Sequence, residues 1–337
     1  MSEHRIGVIA AFIDGLMRVK RAPWLVVGTW ASTLVMALPL TIVMQEQIAA
    51  HLQSSMAAAA AVRGINYDWW NEFLSQTSGA GASFVPAILG FAAVMQNVSG
   101  FVDGSDLPSM ISLTVIMFLV LSLFLSGGIL DRLARDHRVG AAGFFSACGT
   151  YFLRFLRLGV AMGVVYWALF GRYHPWLFDD LYPALTQDLT VERTAFLIRA
   201  GLYIAFALPL CFFNMLFDYT KVRAVVEDRR SMIAAIAAAW RFIRRQPSAV
   251  VALYLLDALL LLGVIGVYYA IAPPAAAPDA WAFSAGQLYI VLRVTVRLQF
   301  AASQTALFQG RLAHAGYVAR PVPKWPDSPA AAAIGPQ

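Results

Sequence analysis

An all-α polytopic membrane bundle with six transmembrane helices is predicted by three features of this sequence. First, 60% of the 337 residues are hydrophobic and only 13% charged, at a mean hydropathy of +0.66, whereas a soluble domain carries about 25% charged residues. Second, six apolar stretches reach the roughly 20 residues a helix needs to cross a hydrocarbon layer about 30 Å thick. Third, Lys and Arg alternate from one connection to the next.

The six stretches are 24-44, 108-130, 155-172, 195-217, 249-272 and 286-308. Four Lys or Arg precede the first, five fall between spans two and three, seven between four and five, and three follow the sixth. Arg63, Arg172 and Arg193 stand on the other side, while Arg199, Arg293 and Arg297 lie within spans. Basic flanks mark the cytoplasmic face, so both termini are expected in the cytoplasm, with the chain in a bacterial inner membrane. Ten acids between Glu46 and Asp279 gather opposite, and the net charge of +6 is therefore segregated. Anionic headgroups account for the basic face. Nucleic-acid binding is a poor reading of the high pI. The 22 Arg against 3 Lys, with abundant Ala, hint at a GC-rich bacterial genome.

Before each odd-numbered span lies a basic segment of helical period. Residues 1-23 carry Ile6, Ile9, Ile13 and Leu16 on one face; Asp14 and Arg18 interrupt the run, which lacks the order of a cleavable signal and is expected to remain uncleaved. The second segment places Phe145, Cys148, Phe152 and Phe155 together and ends in Arg154 and Arg157; the third places Met232, Ile236, Trp240 and Ile243 together. Such helices lie in the headgroup plane, apolar side down. Together they suggest a threefold repeat of one interfacial helix plus two spans. Mitochondrial carriers share that plan, but their Pro-x-acid-x-x-base signature is missing and the surface helices fall on the wrong connections.

Residues 1-318 form one membrane domain in this reading. Within it 45-107 is an extracytoplasmic cap or lid, containing the 84-98 stretch, which at about 15 residues is too short to cross alone. Residues 319-337, rich in Pro and Ala, form an extended cytoplasmic tail.

Ionisable residues inside a membrane face the bundle interior or a watery cavity, which singles out Asp257, Arg293 and Arg297. At 100° per residue Arg293, Arg297 and Gln304 lie within about 40° of one another, with Thr295, Gln299 and Ser303 on the far side. A helix polar on two flanks belongs at the centre of the bundle. Asp257 lies about 12 Å and Arg297 about 16 Å from the cytoplasmic ends of their spans, so an Asp257–Arg297 ion pair is expected, leaving Arg293 available to an anionic group. The stripe reads either as a polar lock or as a substrate or lipid-headgroup site. Tyr67, Asp68, Trp69 and Trp70 form either an aromatic belt or a ligand lid. His174, with Asp179 and Asp180, lacks the spacing of a metal site. Cys148 and Cys211 are not expected to pair, Ser126-Gly127-Gly128 reads as a close-packing motif, and Pro39 and Pro209 as kinks. No nucleophile elbow, phosphate loop or H-E-x-x-H motif is present, so no catalytic residue, metal or cofactor is assigned.

Residues 217-247, FDYTKVRAVVEDRRSMIAAIAAAWRFIRRQP, resemble a segment of uncharacterised bacterial six-span proteins similar to the membrane domain attached to some glycerophosphoryl diester phosphodiesterases. The likeness rests on D-Y-x-[KR]-x-R, E-D-R-R and a basic amphipathic helix, mainly within 200-260. It implies a fold and an inner-membrane location, without the hydrolase activity, whose soluble barrel this sequence lacks. Lys221, Arg223, Arg229, Arg230, Arg241, Arg244 and Arg245 form a cytoplasmic collar that faces lipid phosphates or docks a cytoplasmic protein partner. Two functions follow: a component that moves an anionic or amphiphilic substrate past Asp257, Arg293 and Arg297, or a non-transporting scaffold or assembly factor using the collar.

Overall fold

The computed structural model describes residues 6-53, 55-61, 66-79, 81, 103, 109-135, 140-273 and 279-311. The 84-98 stretch and the 319-337 tail lie outside the described residues. Among those described the chain is helical, with no strand. In order come α1 (Val8–Lys20), α2 (Pro23–Gln53), α3 (Ala58–Ala61), α4 (Tyr67–Gln76), α5 (Ser109–Arg135), α6 (Ala141–Ala168), α7 (Tyr182–Thr186), α8 (Glu192–Val226), α9 (Met232–Arg245), α10 (Pro247–Ile271) and α11 (Asp279–Arg311).

Five rods are long and apolar enough to cross a membrane: Pro23–Gln53, Ser112–Arg135, Ala141–Thr186, Glu192–Val226 and Pro247–Ile271. The third outruns its expected end at residue 172 because two π-helical stretches, Leu169–Tyr173 and Trp176–Leu181, carry α6 into α7. Pro175 lies between them; a proline cannot donate to the turn before it, and widened turns accommodate the ring without ending the helix. Pro39 and Pro209 likewise sit inside α2 and α8 without ending either.

α11 is as long as the others but more polar, and packs against α1, α2, α5, α8 and α10. A helix covered by five neighbours needs no continuous apolar surface, which is why its Gln, Ser and Thr residues are tolerated. The central position expected from its two polar flanks is the one observed.

The large aliphatic residues of α1 do not mark its packed face. On α1, Ala11, Gly15 and Val19 are buried, while Ile9, Ile13 and Leu16 are exposed. A Cβ on Gly15 would lie 2.7 Å from the Ser303 backbone nitrogen, so the two helices touch backbone to backbone. On α9 the buried residues are Met232, Ala235, Ala238, Ala239, Phe242 and Ile243; of the expected apolar face Met232 and Ile243 are buried and Ile236 packs against the core, while Trp240 is exposed. The second expected interfacial segment is no separate helix: residues 141-157 run unbroken into the rest of α6, burying Cys148 and Phe155 but leaving Phe145 exposed. By contrast α1 breaks from α2 at Arg21 and Ala22, and α9 from α10 at Gln246, ahead of Pro247. The three segments therefore differ in shape.

In lipid, helices associate by close packing because tails are as apolar as Leu, and small residues allow it. A Cβ on Gly127 would meet Tyr151 Cβ at 2.9 Å, and one on Gly128 would meet Cys148 Sγ at 2.6 Å; both glycines seat α5 on α6. Gly127→Val is expected to lower unfolding stability in detergent by about 1–3 kcal/mol, read from thermal melts. An unchanged melting point would mean that this contact does not hold the pair.

The α8–α9 turn is tightly specified. Arg229 N–H donates to Ala224 O at 3.0 Å and Asp228 N–H to Val225 O at 3.4 Å, with Asp228 at φ 46°. These are the paired bonds of a Schellman ending, with a non-glycine residue in its left-handed position. Arg154 from α6 donates to Asp228 Oδ1 at 2.6 Å and to Arg229 O at 3.3 Å, holding the turn. Ser231 then caps α9 by accepting from Ala234 N–H.

Candidate functional site

α11 divides the polar residues of the bundle into two sets. Counting 100° per residue, Ser303 lies about 120° and Gln299 about 160° around the helix from Arg297. Two different environments result.

On one side a cavity of about 710 Å³ is lined by α2, α5, α8, α10 and α11. Arg293, Arg297 and Gln304 all face it, as the common stripe predicted. Asn214, Asp218 and Lys221 come from α8, Ser122 and Ser126 from α5, Thr29, Ser32 and Thr33 from α2, and Tyr254 from α10; the remaining walls are apolar. The lining holds three cations, Lys221, Arg293 and Arg297, against one carboxylate, Asp218. Asp218 is taken by Lys221 one turn away, at 2.7 Å. Among the described residues neither Arg293 nor Arg297 forms an ion pair. Arg297 is open to the cavity although the protein surrounds it, and Arg293 lies 6.0 Å over the Tyr289 ring, which stacks on Tyr268. Gln304 is 2% exposed and its side-chain Nε2 has no hydrogen-bond partner. Asn214 Oδ1 accepts from Tyr166 at 2.5 Å, fixing that wall.

On the other side Asp257 is fully buried. Its Oδ2 accepts from Ser303 Oγ at 2.6 Å, while Gln299 Nε2 donates to the Phe12 carbonyl of α1 at 2.9 Å. The expected Asp257–Arg297 ion pair is absent; similar depth does not bring two residues together when one points into the cavity and the other toward Ser303. Asp257 therefore separates from the candidate site and joins the contact between α10, α11 and α1. Arg18 extends that contact, donating to Leu133 O at 2.9 Å and Gln309 Oε1 at 2.7 Å while pairing with Asp14.

The four aromatic-segment residues stand apart from the arginines. Asn66 caps α4 by accepting from Asp68 and Trp69 N–H. Trp69, Trp70 and Phe73 then pack against Ile48 and Leu52 at the end of α2, with His51 edge-on to Trp69 and Phe73. Tyr67 and Asp68 are exposed, and none of Tyr67, Asp68, Trp69 or Trp70 lines the cavity.

The collar splits in two. Arg223 and Arg229 both pair with Glu227, and Arg223 also donates to Ala238 O at 2.6 Å, which ties α8 to α9. Arg230, Arg241, Arg244 and Arg245 are exposed, with Arg244 lying over Trp240 at 5.6 Å. His174 packs among Phe178 and Phe206. Among the described residues no group of three His, Cys, Asp or Glu could hold a metal.

Asn214, Ser122, Ser126 and the α2 hydroxyls escaped the sequence reading because none is ionisable and each belongs to a different helix; only the fold collects them. No family model, no curated protein and no solved structure matches the chain, so the cavity itself carries the functional reading.

Proposed function

We propose that this is a six-span inner-membrane protein, with α11 as the sixth span and both termini cytoplasmic, that binds an anionic amphiphile in the α11 cavity and moves it or hands it on. One observation carries the reading: Arg293 and Arg297 face a cavity of about 710 Å³ without an ion-pair partner among the described residues. A guanidinium held amid apolar walls is costly unless an anion or water meets it, and its fork of donors suits phosphate or carboxylate. The Gln304 amide adds a neutral donor to the same stripe. Apolar walls suit an acyl chain, and the volume falls in the range of about 300–1,000 Å³ usual for ligand sites.

The test is mass spectrometry of lipids and small anions that co-purify with the wild type and with the Arg293→Gln/Arg297→Gln double variant. Enrichment of an anionic amphiphile over the bulk extract, lost in a folded double variant, supports binding. Equal lipid content in both would sink it.

The exposed Arg230 in the α8–α9 turn and Arg241, Arg244 and Arg245 on α9 favour one second reading, in which a cytoplasmic acidic partner docks there and the protein is a scaffold. In that case the double variant keeps its function, and reversal of the α9 charges removes it.

A further inference from the structure

Asp257 lies in the middle third of α10 and is fully buried. Its Oδ2 accepts from Ser303 Oγ at 2.6 Å, but its Oδ1 has no hydrogen-bond partner. Gln299, one turn before Ser303 on the same flank of α11, lies against the same carboxyl. It is buried as completely, and because its Nε2 donates to the Phe12 carbonyl at 2.9 Å, its Oε1 is left without a donor. Two adjoining side chains therefore each hold, out of reach of water, an oxygen that can only accept.

Charge is unbalanced at the same place. Among the described residues no cation pairs with Asp257. On α11, Arg293 and Arg297 face the 710 Å³ cavity and Arg311 donates to Ile6 O at 2.9 Å. On α1, Asp14 and Arg18 pair with each other and Lys20 is exposed. On α9, Arg241, Arg244 and Arg245 are exposed. Tyr254 of α10 lines the cavity, and from α8 the buried Tyr219, whose hydroxyl also has no partner, comes within electrostatic reach of Asp257. A lone carboxylate in an apolar interior is costly unless positive charge meets it, and mid-membrane acids at helix contacts are where transporters take up coupling ions.

We propose that Asp257, Gln299 and Ser303 bind one monovalent cation, H⁺ or Na⁺, and that this cation moves together with the anion of the α11 cavity, a second step that rests on the proposed function above. A proton on Oδ1 supplies the donor that Gln299 Oε1 lacks; Na⁺ takes the same two oxygens and the Ser303 hydroxyl as hard ligands. Either one neutralises the carboxylate with a single charge. The cation site and the anion cavity occupy different flanks of the same turns of α11, with Gln299 and Ser303 on one and Arg297, Ala301 and Gln304 on the other. A shift of α11 that carries one occupant carries the other, and an anion accompanied by a cation takes less net charge across the apolar layer.

Thermal melts of the purified full chain in non-ionic detergent, in NaCl or choline chloride of equal ionic strength across a pH series, test the first step, because a ligand of the folded state raises the melting point. If the cation is Na⁺, the wild type should melt higher in NaCl. If it is H⁺, both salts should give the same melting point, rising as pH falls, since the folded chain then holds a proton that the unfolded chain releases. Asp257→Asn keeps the size of the side chain and gives Gln299 an N–H donor, so it should fold and lose the response. Ser303→Ala keeps the carboxyl and should shift the Na⁺ concentration of half-response about tenfold, or its pH by about one unit. A wild type indifferent to both cations, or either variant responding as the wild type does, overturns the site. Binding of dioleoylphosphatidylglycerol under the same conditions tests the second step: its affinity should rise with the cation in the wild type and stay constant in Asp257→Asn. Affinity that ignores the cation overturns the coupling and leaves the site. A wild type that binds no phosphatidylglycerol at all contradicts the central reading, while the cation response stands without it.

Discussion

Arg297→Gln is expected to weaken binding of an anionic amphiphile about tenfold to a hundredfold, because one charge-assisted hydrogen bond contributes about 1.5–3 kcal/mol. Folding should be little affected. Among the described residues Arg297 has no carboxylate partner to orphan, and Asp218 is already held by Lys221 at 2.7 Å. Arg297→Lys keeps the charge but loses the planar fork, and should fall between wild type and Gln. Gln304→Leu, which removes a neutral donor, should cost less than either. Equilibrium binding of phosphatidylglycerol in detergent reads all three. If Arg297→Gln instead unfolds the protein, the arginine is a structural lock, and the cavity is not a ligand site.

Gly15→Val should have the largest effect on stability, about 3 kcal/mol in detergent. A Cβ at Gly15 would stand 2.7 Å from Ser303 N and 2.8 Å from Ser303 Cα, and backbone atoms at the centre of a helix cannot yield as a flexible side chain can. α1 must move off α11. With it go the Gln299–Phe12 bond at 2.9 Å and the Arg18–Gln309 bond at 2.7 Å, and Ser303, the donor to Asp257, loses its neighbour. Gly15→Ala meets the same backbone with fewer atoms and should show a smaller loss. Equal melting points for wild type, Ala and Val would mean that α1 is not seated on α11.

Five of the six expected spans were legible in the sequence because length and apolarity decide them together, and α11 announced its central place through polar residues on two flanks. Packing faces were not. Large aliphatics drive burial in water, but Ile9, Ile13 and Leu16 were read as a lipid-facing side, which left the packed side of the helix unassigned. Where lipid surrounds the bundle such side chains can face outward, and the contacts fall to Ala11, Gly15, Ala235 and Ala239 instead. A face chosen by the smallest residues would have found both α1 and α9. The Arg293–Arg297–Gln304 stripe stays together on the wall of one cavity because helical periodicity alone puts the three on one face. Asp257 fell away because depth was matched without direction around the helix: its partner, Ser303, was already on the far flank from Arg297. The serines of α5 and Asn214 of α8 carried no signal, since a hydroxyl or amide in an apolar run becomes a site residue only through its neighbours in space.

Thiol labelling inside the cavity tests the central claim most directly. In a Cys211→Ser background, with Cys148 buried and inert, Ser122→Cys places a reporter on the cavity wall. An anionic methanethiosulfonate reagent should label it faster than the trimethylammonium analogue, and adding Arg293→Gln/Arg297→Gln should abolish that preference. Phosphatidylglycerol should protect the thiol. A reporter that never reacts, or that reacts equally with both reagents whether or not the arginines are present, would contradict an open, anion-selective cavity on α11.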